Sequence, residues 1–368
     1  MKRIMLFLIS VFLFPFPCLS HRLRYRVYSR PATALQYSDI PYSEWKRAEK
    51  DMKKSLMKWG FYYQEYILYN FFGKDNKYKS SFISEIDRYV IFRKFNHRAT
   101  VKNYESKYSV YLRYREFYHR KMIRIKDKRD LCLVTDILKN GKSVILKPEV
   151  GSCGENIIKF NGSDTADPSE MNLSNLCDFP YVCEEYISQS ADMASFNPDS
   201  VNTVRLLCVR RSTDISSFHS EGEDSARLPS VFADGLCFSK DICIISPFMR
   251  MGRAGKITDN AGGGGIIVPI NTQGWTLSRV GRDESGKYYR IHPDSHIPFE
   301  GFAVPEADKL VLLAGEIMEK EPRMRMLSLD LAHTQNGWVL VEINAKGQFI
   351  GQQMCDLTGK KQYIESLV

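Results

Sequence analysis

The sequence lacks the patterns that mark several protein classes. Its nine cysteines are an odd number and contain no CxxC pair, which argues against a zinc site or a disulfide framework and mildly favours a reducing compartment. No internal repeat stands out. The composition, 43% hydrophobic, 26% charged and 12% aromatic, excludes a disordered tail, a collagen-like fibre and a polytopic membrane protein. A chain of 368 residues can bury a sizeable core in two or three structural units.

Basic residues are concentrated in the N-terminal third. Residues 1–130 contain 29 Lys and Arg against 12 Asp and Glu, a charge of +17, so the remaining residues contribute −8 to the net +9. Such a region suits an anionic partner (a phosphate-bearing substrate, a membrane face or a nucleic acid) or is an ordinary solvated surface. Its aromatic residues show no interleaved stacking pattern, so we predict no nucleic-acid partner.

The first 40 residues allow three interpretations. Lys2 and Arg3 precede an apolar run from Ile4 to Leu19, as in a signal peptide. The run has no small-residue cleavage site, is shorter than the roughly 20 residues of a bilayer span, and is followed at once by arginines. It is an interfacial anchor, a true signal, or sequence upstream of the real start. We expect a cytoplasmic protein, with association of residues 1–40 with the inner face of the membrane as one open interpretation.

Two regions of different composition follow this segment. Residues 41–130 are rich in Lys, Arg, Tyr and Phe, poor in Gly and Pro, and spaced like helices, which predicts a basic helical region. From residue 131, short β-branched runs alternate with glycine clusters and predict strands. The fold class is therefore α+β. The predicted elements that matter below are a helix over Ser106–Met122, a helix over Glu306–Glu321, and strands over Leu327–Ala332 and Trp338–Asn344.

The first chemically informative segment joins a strand to a glycine-containing loop. The apolar strand ends in Lys147, which can place a point charge on a phosphate. In the loop over Gly151–Asn156, two glycines allow backbone N–H groups to close over phosphate oxygens. The loop is not a Walker loop, because it contains no Gly-Lys-Ser/Thr and no helix follows it. An ordinary β-hairpin is the alternative.

Two adjacent acids, Glu184 and Glu185, lie within the apolar run Tyr181–Ile187. Buried carboxylates need partners. One of the two can point to solvent, whereas the other needs an amino group, such as an adenine amine or a lysine. The alternative is an edge strand with both acids in water.

A hairpin signal at Asn336-Gly337 separates the last two predicted strands. A two-residue turn there would place Asp330 opposite Ile343. A three-residue loop over Gln335–Gly337 places Asp330 opposite Glu342 instead. The apolar pattern selects this second register. It leaves one face of the hairpin apolar, formed by Leu329, Leu331, Val341 and Ile343.

The second register also places Asn344 on the face of Asp330 and Glu342. Two facing carboxylates repel unless a cation lies between them. Oxygen ligands on two rigid strands suit Mg²⁺, completed by substrate phosphates and water. The alternative is a solvated sheet face with two surface acids.

Arginines and glycines are concentrated between residues 202 and 265. Arg205 lies in a strand that begins with Asn202-Thr203-Val204, and Arg250 and Arg253 precede the four consecutive glycines Gly262–Gly265. Arginines can hold a carboxylate or a phosphoryl group in a bidentate fork. The glycines predict close backbone approach to a ligand or a loop that moves, and a plain flexible loop is the alternative.

The order of these segments resembles the ATP-grasp superfamily. The motifs Asn202–Arg205, Arg250–Asn260, Gly262–Gly265, His292-Pro293-Asp294 and Phe299–Phe302 resemble its sugar-transfer-associated branch, which is related to α-L-glutamate ligases. The resemblance extends over about residues 70–355. It implies an ATP-grasp fold, two α+β subdomains that clasp ATP, over residues 131–368, preceded by the helical region 41–130 and the leader 1–40.

The resemblance also implies roles for individual residues. Lys107 and Lys147 would bind the nucleotide phosphates, and Glu184 would face the adenine amine. The remaining implied residues are Gly151, Ser152 and Gly154 in the phosphate loop, Glu185, Tyr186 and Ile187 along the adenine slot, Asp330, Glu342 and Asn344 as Mg²⁺ ligands, and Arg205 and Arg253 on the transferred phosphoryl group or the acceptor. ATP-grasp ligases often place an arginine two residues before the metal-binding aspartate, where this sequence has Ser328.

The implied activity is ATP- and Mg²⁺-dependent ligation of a carboxylate to an amine or a related nucleophile through an acyl phosphate. The branch name points to cell-surface polysaccharide or glycan biosynthesis, with a small-molecule or glycan-linked carboxylate and a nucleophile acceptor. One alternative is a kinase on the same scaffold. Another is a catalytically silent nucleotide-binding scaffold, against which the intact set of Asp330, Glu342 and Asn344 argues.

Overall fold

The computed structural model describes residues 34–36, 38–151, 156–162, 179–211, 231–232, 235–237 and 241–368. The predictions for Ser152, Gly154 and most of the N-terminal 40 residues lie outside these ranges. Within them, no helix is long and apolar enough to cross a membrane.

The N-terminal region is helical, as predicted. Its helices are α1 (Trp45–Trp59), α2 (Tyr63–Leu68), α3 (Asn76–Ser81), α4 (Glu85–Phe95), α5 (Arg98–Val101) and α6 (Lys107–Tyr118). Helix α1 ends at Gly60, which takes φ 86°, and α4 begins with a capping box between Ser84 and Asp87. Phe71 contacts the rings of Phe61 and Phe82 edge to face, with centroids 4.8 and 5.2 Å away, within a core of buried aromatic residues.

A four-stranded antiparallel sheet follows. It consists of β1 (Met122–Ile125), β2 (Val144–Pro148), β3 (Ile158–Phe160) and β4 (Tyr181–Glu185) in the order β1-β4-β2-β3, and helix α7 (Cys132–Leu138) packs on it. Strand β1 replaces the end of the helix predicted over Ser106–Met122. The helix stops at Tyr118 because His119 takes φ 47°, and β1 then pairs with β4. The short β1 run, Met-Ile-Arg-Ile, was hidden by the helical spacing before it.

A larger antiparallel sheet forms the C-terminal part. Its strands are β5 (Thr203–Arg210), β6 (Val231–Phe232), β7 (Gly235–Cys237), β8 (Ile242–Met251), β9 (Ile266–Asn271), β10 (Thr276–Leu277), β11 (Gly281–Arg282), β12 (Tyr288–Tyr289), β13 (Met326–Thr334) and β14 (Gly337–Asn344), with β8-β5-β13-β14 adjacent in that order. The helices here are α8 (Ala191–Ala194), α9 (Ala307–Glu319), α10 (Ile350–Met354) and α11 (Lys361–Glu365). Leu310, Ala314 and Ile317 of α9 belong to the main core beneath this sheet.

One cysteine departs from the expectation of an entirely reduced set. Cys243 of β8 is disulfide-bonded. It lies opposite Cys237 in the register of β7 and β8, a cross-strand relationship that sequence spacing alone does not reveal. Cys132, Cys183, Cys208 and Cys355 are free thiols.

The final hairpin reaches the predicted register by an unpredicted route. Thr334 pairs with Gly337, so the turn contains two residues, Gln335 and Asn336, and the predicted three-residue loop is wrong. Gly337 takes φ 100°, which favours glycine there. Continued to the other end, this pairing would place Asp330 opposite Val341.

A β-bulge corrects the register within the strands. The pairing shifts by one residue between Asp330 and Leu331, and Asp330 then lies opposite Glu342, as predicted. Val341 is the extra residue at the bulge. It packs near Ile187 rather than on the opposite apolar face, where we had expected it.

Candidate active site

A cavity of about 520 Å³ is lined by both sheets. It brings together eleven predicted site residues: Lys107, Lys147, Gly151, Glu184, Glu185, Tyr186, Ile187, Arg205, Asp330, Glu342 and Asn344. They come from α6, β2, β4, β5, β13, β14 and the segments after β2 and β4. The geometric condition on which the sequence interpretation depended, that the acids of the final hairpin and the lysine of β2 share one site, is therefore met.

Lys107 is positioned by contacts between α6 and the end of β2. The hydroxyl of Ser106, which caps α6, donates to the Glu149 carboxylate at 2.5 Å, and the backbone N–H of Lys107 donates to the Glu149 carbonyl at 3.0 Å. The Lys107 ammonium donates to the carbonyl of Gly151 at 2.7 Å. Burial, reinforced by the nearby charge of Lys147 and opposed by Glu342, lowers the pKa of Lys107.

Lys147 and Glu184 form a buried ion pair on the floor of the cavity. Arg120 completes this group, with its Nη2 and Nε atoms 2.6 and 2.9 Å from the same Glu184 carboxylate. Burial acts to raise the pKa of Glu184, but Arg120 and Lys147 more than offset it and lower that pKa to about 2. The carboxylate is thus ionised at neutral pH and holds two cations. Its contact with an adenine amine stays a prediction.

Arg120 is a site residue that sequence reasoning missed. Its side chain is almost fully buried and also donates to the carbonyl of Leu340 at 2.7 Å, which ties β4 to β14 across the cavity. In the sequence it is one of many basic residues near the end of α6. No local pattern distinguishes it from its solvated neighbours.

Arg205 and Asp330 form the centre of the opposite wall. They lie opposite each other in β5 and β13, and Arg205 holds the carboxylate with Nε–Oδ1 and Nη2–Oδ2 distances of 2.5 Å each. Asp330 is 1% exposed. Burial acts to raise the pKa of Asp330, but the charges of Arg205 and Arg250 more than offset this effect. The pKa of Asp330 therefore lies below its usual value. The bidentate geometry fixes both partners.

Arg250, rather than Arg253, is the second arginine of this wall. Its Nη2 atom lies 3.2 Å from carboxylate oxygens of both Asp330 and Asp259, and it donates to the Thr203 hydroxyl at 3.1 Å. The guanidinium of Arg253 instead binds Asp294 at 2.7 and 3.0 Å, and Arg253 is not among the described residues that line the cavity. The chain leaves β8 after Met251, so the alternation that points Arg250 inward no longer applies to Arg253.

Asp259 was also missed as a site residue, although it lies within the motif Arg250–Asn260. Thr203 donates a hydrogen bond to its carboxylate, and burial raises the pKa of Asp259 despite the opposing charge of Arg250. Gly265 permits this arrangement, because a Cβ atom there would lie 2.5 Å from the Asp259 carbonyl. The close approach predicted for the glycine run is therefore, at Gly265, an approach to the chain itself.

The three predicted metal ligands were tested for their fit to Mg²⁺. Glu342 forms no side-chain hydrogen bond or ion pair with any residue that the structure describes. Asn344, which lines the cavity, donates its amide N–H to Asp330 at 3.4 Å, and the Oδ1 atom of Asp330 accepts a single hydrogen bond within the described ranges. No cluster of three His, Cys, Asp or Glu is placed to hold a metal in the described ranges. The oxygen set fits an ion that takes its remaining ligands from phosphates and water.

The remaining wall of the cavity offers a mainly apolar slot beside the segment after β4. The side chains of Ile145, Ile157, Phe179, Ile187, Val201 and Val341 contribute to it. The backbone N–H of Ile187 has no hydrogen-bond partner within the described part of the chain, whereas that of Tyr186 donates to the Ser143 carbonyl at 2.8 Å. A planar heterocycle with a hydrogen-bond acceptor on its edge would match this slot.

Comparison with known proteins identifies a family for part of the chain. Residues 229–366 match the family described as sugar-transfer associated ATP-grasp. The predicted resemblance is thus confirmed over the segment that carries Arg250, Asp259, Asp330 and Glu342. The helical N-terminal region and the two sheets confirm the predicted α+β class, and the likeness to ATP-grasp proteins holds for residues 229–366. None of the curated proteins compared with the chain matches it.

Several solved structures of synthetases and ligases show a distant similarity. An N5-carboxyaminoimidazole ribonucleotide synthetase in complex with ADP is 10% identical, with 68% of this chain and 46% of that chain covered and a TM-score of 0.39. An N5-carboxyaminoimidazole synthetase from Staphylococcus aureus with ADP is 9% identical, with 76% of this chain and 59% of that chain covered and a TM-score of 0.42. A D-alanine-D-alanine ligase from Helicobacter pylori is 10% identical, with 74% of this chain and 60% of that chain covered and a TM-score of 0.39. The chain thus spans about half of the length of these proteins.

Proposed function

From the match of residues 229–366 to the sugar-transfer associated ATP-grasp family, we propose that the protein is an ATP- and Mg²⁺-dependent ligase that joins a carboxylate to an amine or a related nucleophile. The observation that carries this proposal is the convergence of Lys107, Lys147, Arg205, Asp330 and Glu342 on one cavity. The two lysines come from one part of the chain and the acids from another, so their meeting is unexpected for a purely structural role.

The nucleotide lies between the apolar slot and the lysines. Adenine occupies the slot, where the free N–H of Ile187 donates to its edge. Lys107 and Lys147 neutralise the phosphates, and the backbone of Gly151, whose carbonyl accepts a hydrogen bond from Lys107, lies beside them. Glu184 holds Lys147 in place through the buried ion pair, and Arg120 keeps Glu184 ionised.

The reacting end of the nucleotide lies at the hairpin. Glu342, Asn344 and the free side of Asp330 would hold Mg²⁺, which when bound neutralises phosphate charge. Arg205 and Arg250 direct guanidinium groups at the same place. We assign the stabilisation of the transferred phosphoryl group to this pair, with Arg250 supplying the arginine that is absent at Ser328.

The chemistry proceeds in two steps that the cavity can accommodate. An oxygen of the donor carboxylate attacks the γ-phosphorus in line, the bond to the bridging oxygen of ADP breaks, and an acyl phosphate forms. The nucleophile then attacks the acyl carbon, and inorganic phosphate and a proton leave. Asp259, whose pKa is raised by burial, lies beside Arg250 where it can accept that proton.

The family description names an association with sugar transfer, from which we infer the class of substrate. We propose a glycan-linked or small-molecule carboxylate as donor and cell-surface polysaccharide biosynthesis as the setting. We further propose that the ATP-grasp domain, predicted over residues 131–368, includes α6 and β1, because Lys107 and the β1–β4 pairing contribute to the cavity. Association with a membrane surface is a separate inference, which is developed below.

Product analysis tests the proposal. The protein is incubated with ATP, Mg²⁺ and fractionated extract of its host, and the metabolite that gains mass is identified together with ADP and inorganic phosphate. Ligation releases phosphate in amounts equal to ADP. A phosphorylated acceptor without free phosphate would identify a kinase instead, and nucleotide binding without turnover in every fraction would identify a silent scaffold.

A further inference from the structure

Helix α1 has a basic surface on one side only. Ala48, Met52 and Ser55 are buried on its inner face. The outer face is exposed and consists of Lys46, Arg47, Lys50, Lys53, Lys54, Met57 and Lys58. At 100° per residue these seven positions fall within an arc of about 140°. Six of them are cationic, and no acidic residue interrupts the arc.

The acidic residues of this segment are used elsewhere. Glu49 pairs with Lys53 at 2.6 Å, and Glu44 pairs with Arg47 at 3.1 Å. Asp51 turns toward the protein, where it forms an ion pair with buried Lys79 and accepts a hydrogen bond from the Tyr66 hydroxyl at 2.5 Å. None of the three therefore neutralises the centre of the exposed face.

Four lysines remain without a carboxylate partner in the ranges that the structure describes. They are spaced four residues apart and are called here the lysine face: Lys46, Lys50, Lys54 and Lys58. Lys58 also lies over the ring of Trp59, 4.5 Å from its centroid. A row of cations on a rigid helix about 22 Å long is complementary to a plane of anionic headgroups.

We propose that the lysine face docks on an anionic lipid surface. The sequence before α1 contains the apolar run Ile4–Leu19 and four arginines soon after it, a composition that favours a bilayer interface and supplies a second binding signal. The aromatic residues beside α1, such as Phe61 and Phe71, are buried in the core and are not available to stack on bases, which disfavours a nucleic acid as the partner.

The strength expected of the lysine face follows from its charge. Each lysine close to an anionic membrane strengthens binding about fivefold, so the four together contribute about 600-fold. Because the lysines are exposed, the attraction is screened when the salt concentration rises. The inference is independent of the ligase proposal, since no residue of the lysine face lines the cavity.

Vesicle co-sedimentation of the full-length chain tests this inference. The vesicles are phosphatidylcholine alone or phosphatidylcholine with one third phosphatidylglycerol. We expect binding to the anionic vesicles that weakens with added salt, and a loss of about 600-fold in the variant K46Q/K50Q/K54Q/K58Q. The matched control, K102Q/K126Q/K128Q/K139Q, removes four exposed lysines outside α1 and outside the cavity and retains most of the binding.

Three results would overturn the inference. The first is equal binding of the lysine-face variant and the unmodified protein, which would assign attachment to the N-terminal segment alone. The second is equal binding to neutral and anionic vesicles. The third is retention of single-stranded nucleic acid with no vesicle binding. Thermal unfolding of each variant, together with the single charge reversal K50E, separates loss of docking from loss of fold.

Discussion

Arg205 and Asp330 hold each other across neighbouring strands through two parallel hydrogen bonds of 2.5 Å. One partner is the cation that we assign to the phosphoryl group, and the other is a proposed metal ligand. The fork fixes the orientation of both before substrate arrives, so the site is preorganised at the point where charge develops.

We expect Arg205→Lys to lower kcat about 100-fold, because lysine keeps the charge but cannot form the fork. Steady-state release of ADP measures the effect. Arg210→Lys is the matched control, since Arg210 lies on the same strand but pairs with Glu319 at 3.0 Å, outside the cavity. Equal losses in the two variants would contradict the assignment.

Glu342→Gln should abolish ADP release at ordinary Mg²⁺ concentrations while the protein keeps its fold, because a metal-binding carboxylate is lost. The carboxylate has no hydrogen-bond or ion-pair partner in the described chain, so its removal breaks no internal contact. A Mg²⁺ titration of ADP release and a melting curve measure the two parts. Glu316→Gln, on the exposed side of α9, serves as control. Unchanged ADP production by Glu342→Gln would remove the metal assignment.

Lys147→Ala should weaken nucleotide binding about tenfold or more, since a charge-assisted contact to phosphate is lost. Calorimetric titration with ADP measures the affinity. Lys142→Ala removes a nearby exposed lysine, which pairs with Glu185 at 2.7 Å, and should leave the affinity unchanged. The phosphate role of Lys147 fails if its variant binds ADP as tightly as the Lys142 variant does.

Acidic pH should lower the free energy of unfolding, because it protonates Glu184. Its pKa is about 2 in the folded state against 4.5 for the free group, so folding favours the ionised form. By 1.36 kcal/mol per pKa unit, this carboxylate contributes about 3 kcal/mol above pH 4.5, and the contribution is lost as the pH falls toward 2. Chemical unfolding at several pH values should show a stability gap between the protein and Glu184→Gln that narrows in that window. A gap that stays constant would argue against the buried charge cluster.

The Arg253–Asp294 pair should influence kcat although it does not line the cavity. Arg253 and the backbone N–H of Ala254 both donate to Asp294, which fixes the start of the loop that carries Asp259. We expect Asp294→Ala to lower kcat several-fold, to leave nucleotide affinity unchanged, and to be non-additive with Arg253→Ala. A double-mutant cycle on ADP release checks this. Additive effects would show that the two residues act separately.

Local patterns predicted the parts of the site that lie on regular strands. Lys147, Glu184, Asp330 and Glu342 each belong to an apolar run in which a charged residue is conspicuous, so the sequence marks them directly. The final hairpin was predictable because its apolar alternation allows one useful register. Strand β1 was not, since its four residues follow a long helical pattern without a turn signal.

The contributions of Arg120, Arg250 and Asp259 depend on contacts that are distant along the chain. Arg120 meets Glu184 across 64 residues, and Arg250 meets Asp330 across 80. No local sequence pattern around these residues indicates such contacts. Arg253, which the family resemblance implied, lies beyond the end of β8 at Met251 and is not among the described residues that line the cavity.

The bulge beside Asp330 separates two properties that hairpins usually tie together. The number of residues in the turn and the facing of Asp330 with Glu342 are set independently, because one surplus residue in β14 absorbs the difference. Homologues with a longer or shorter connection can therefore retain the acidic pair by gaining or losing that surplus residue. A turn that is one residue longer, without the bulge, would give the same facing of Asp330 and Glu342, so the length of the turn can change without separating the two acids.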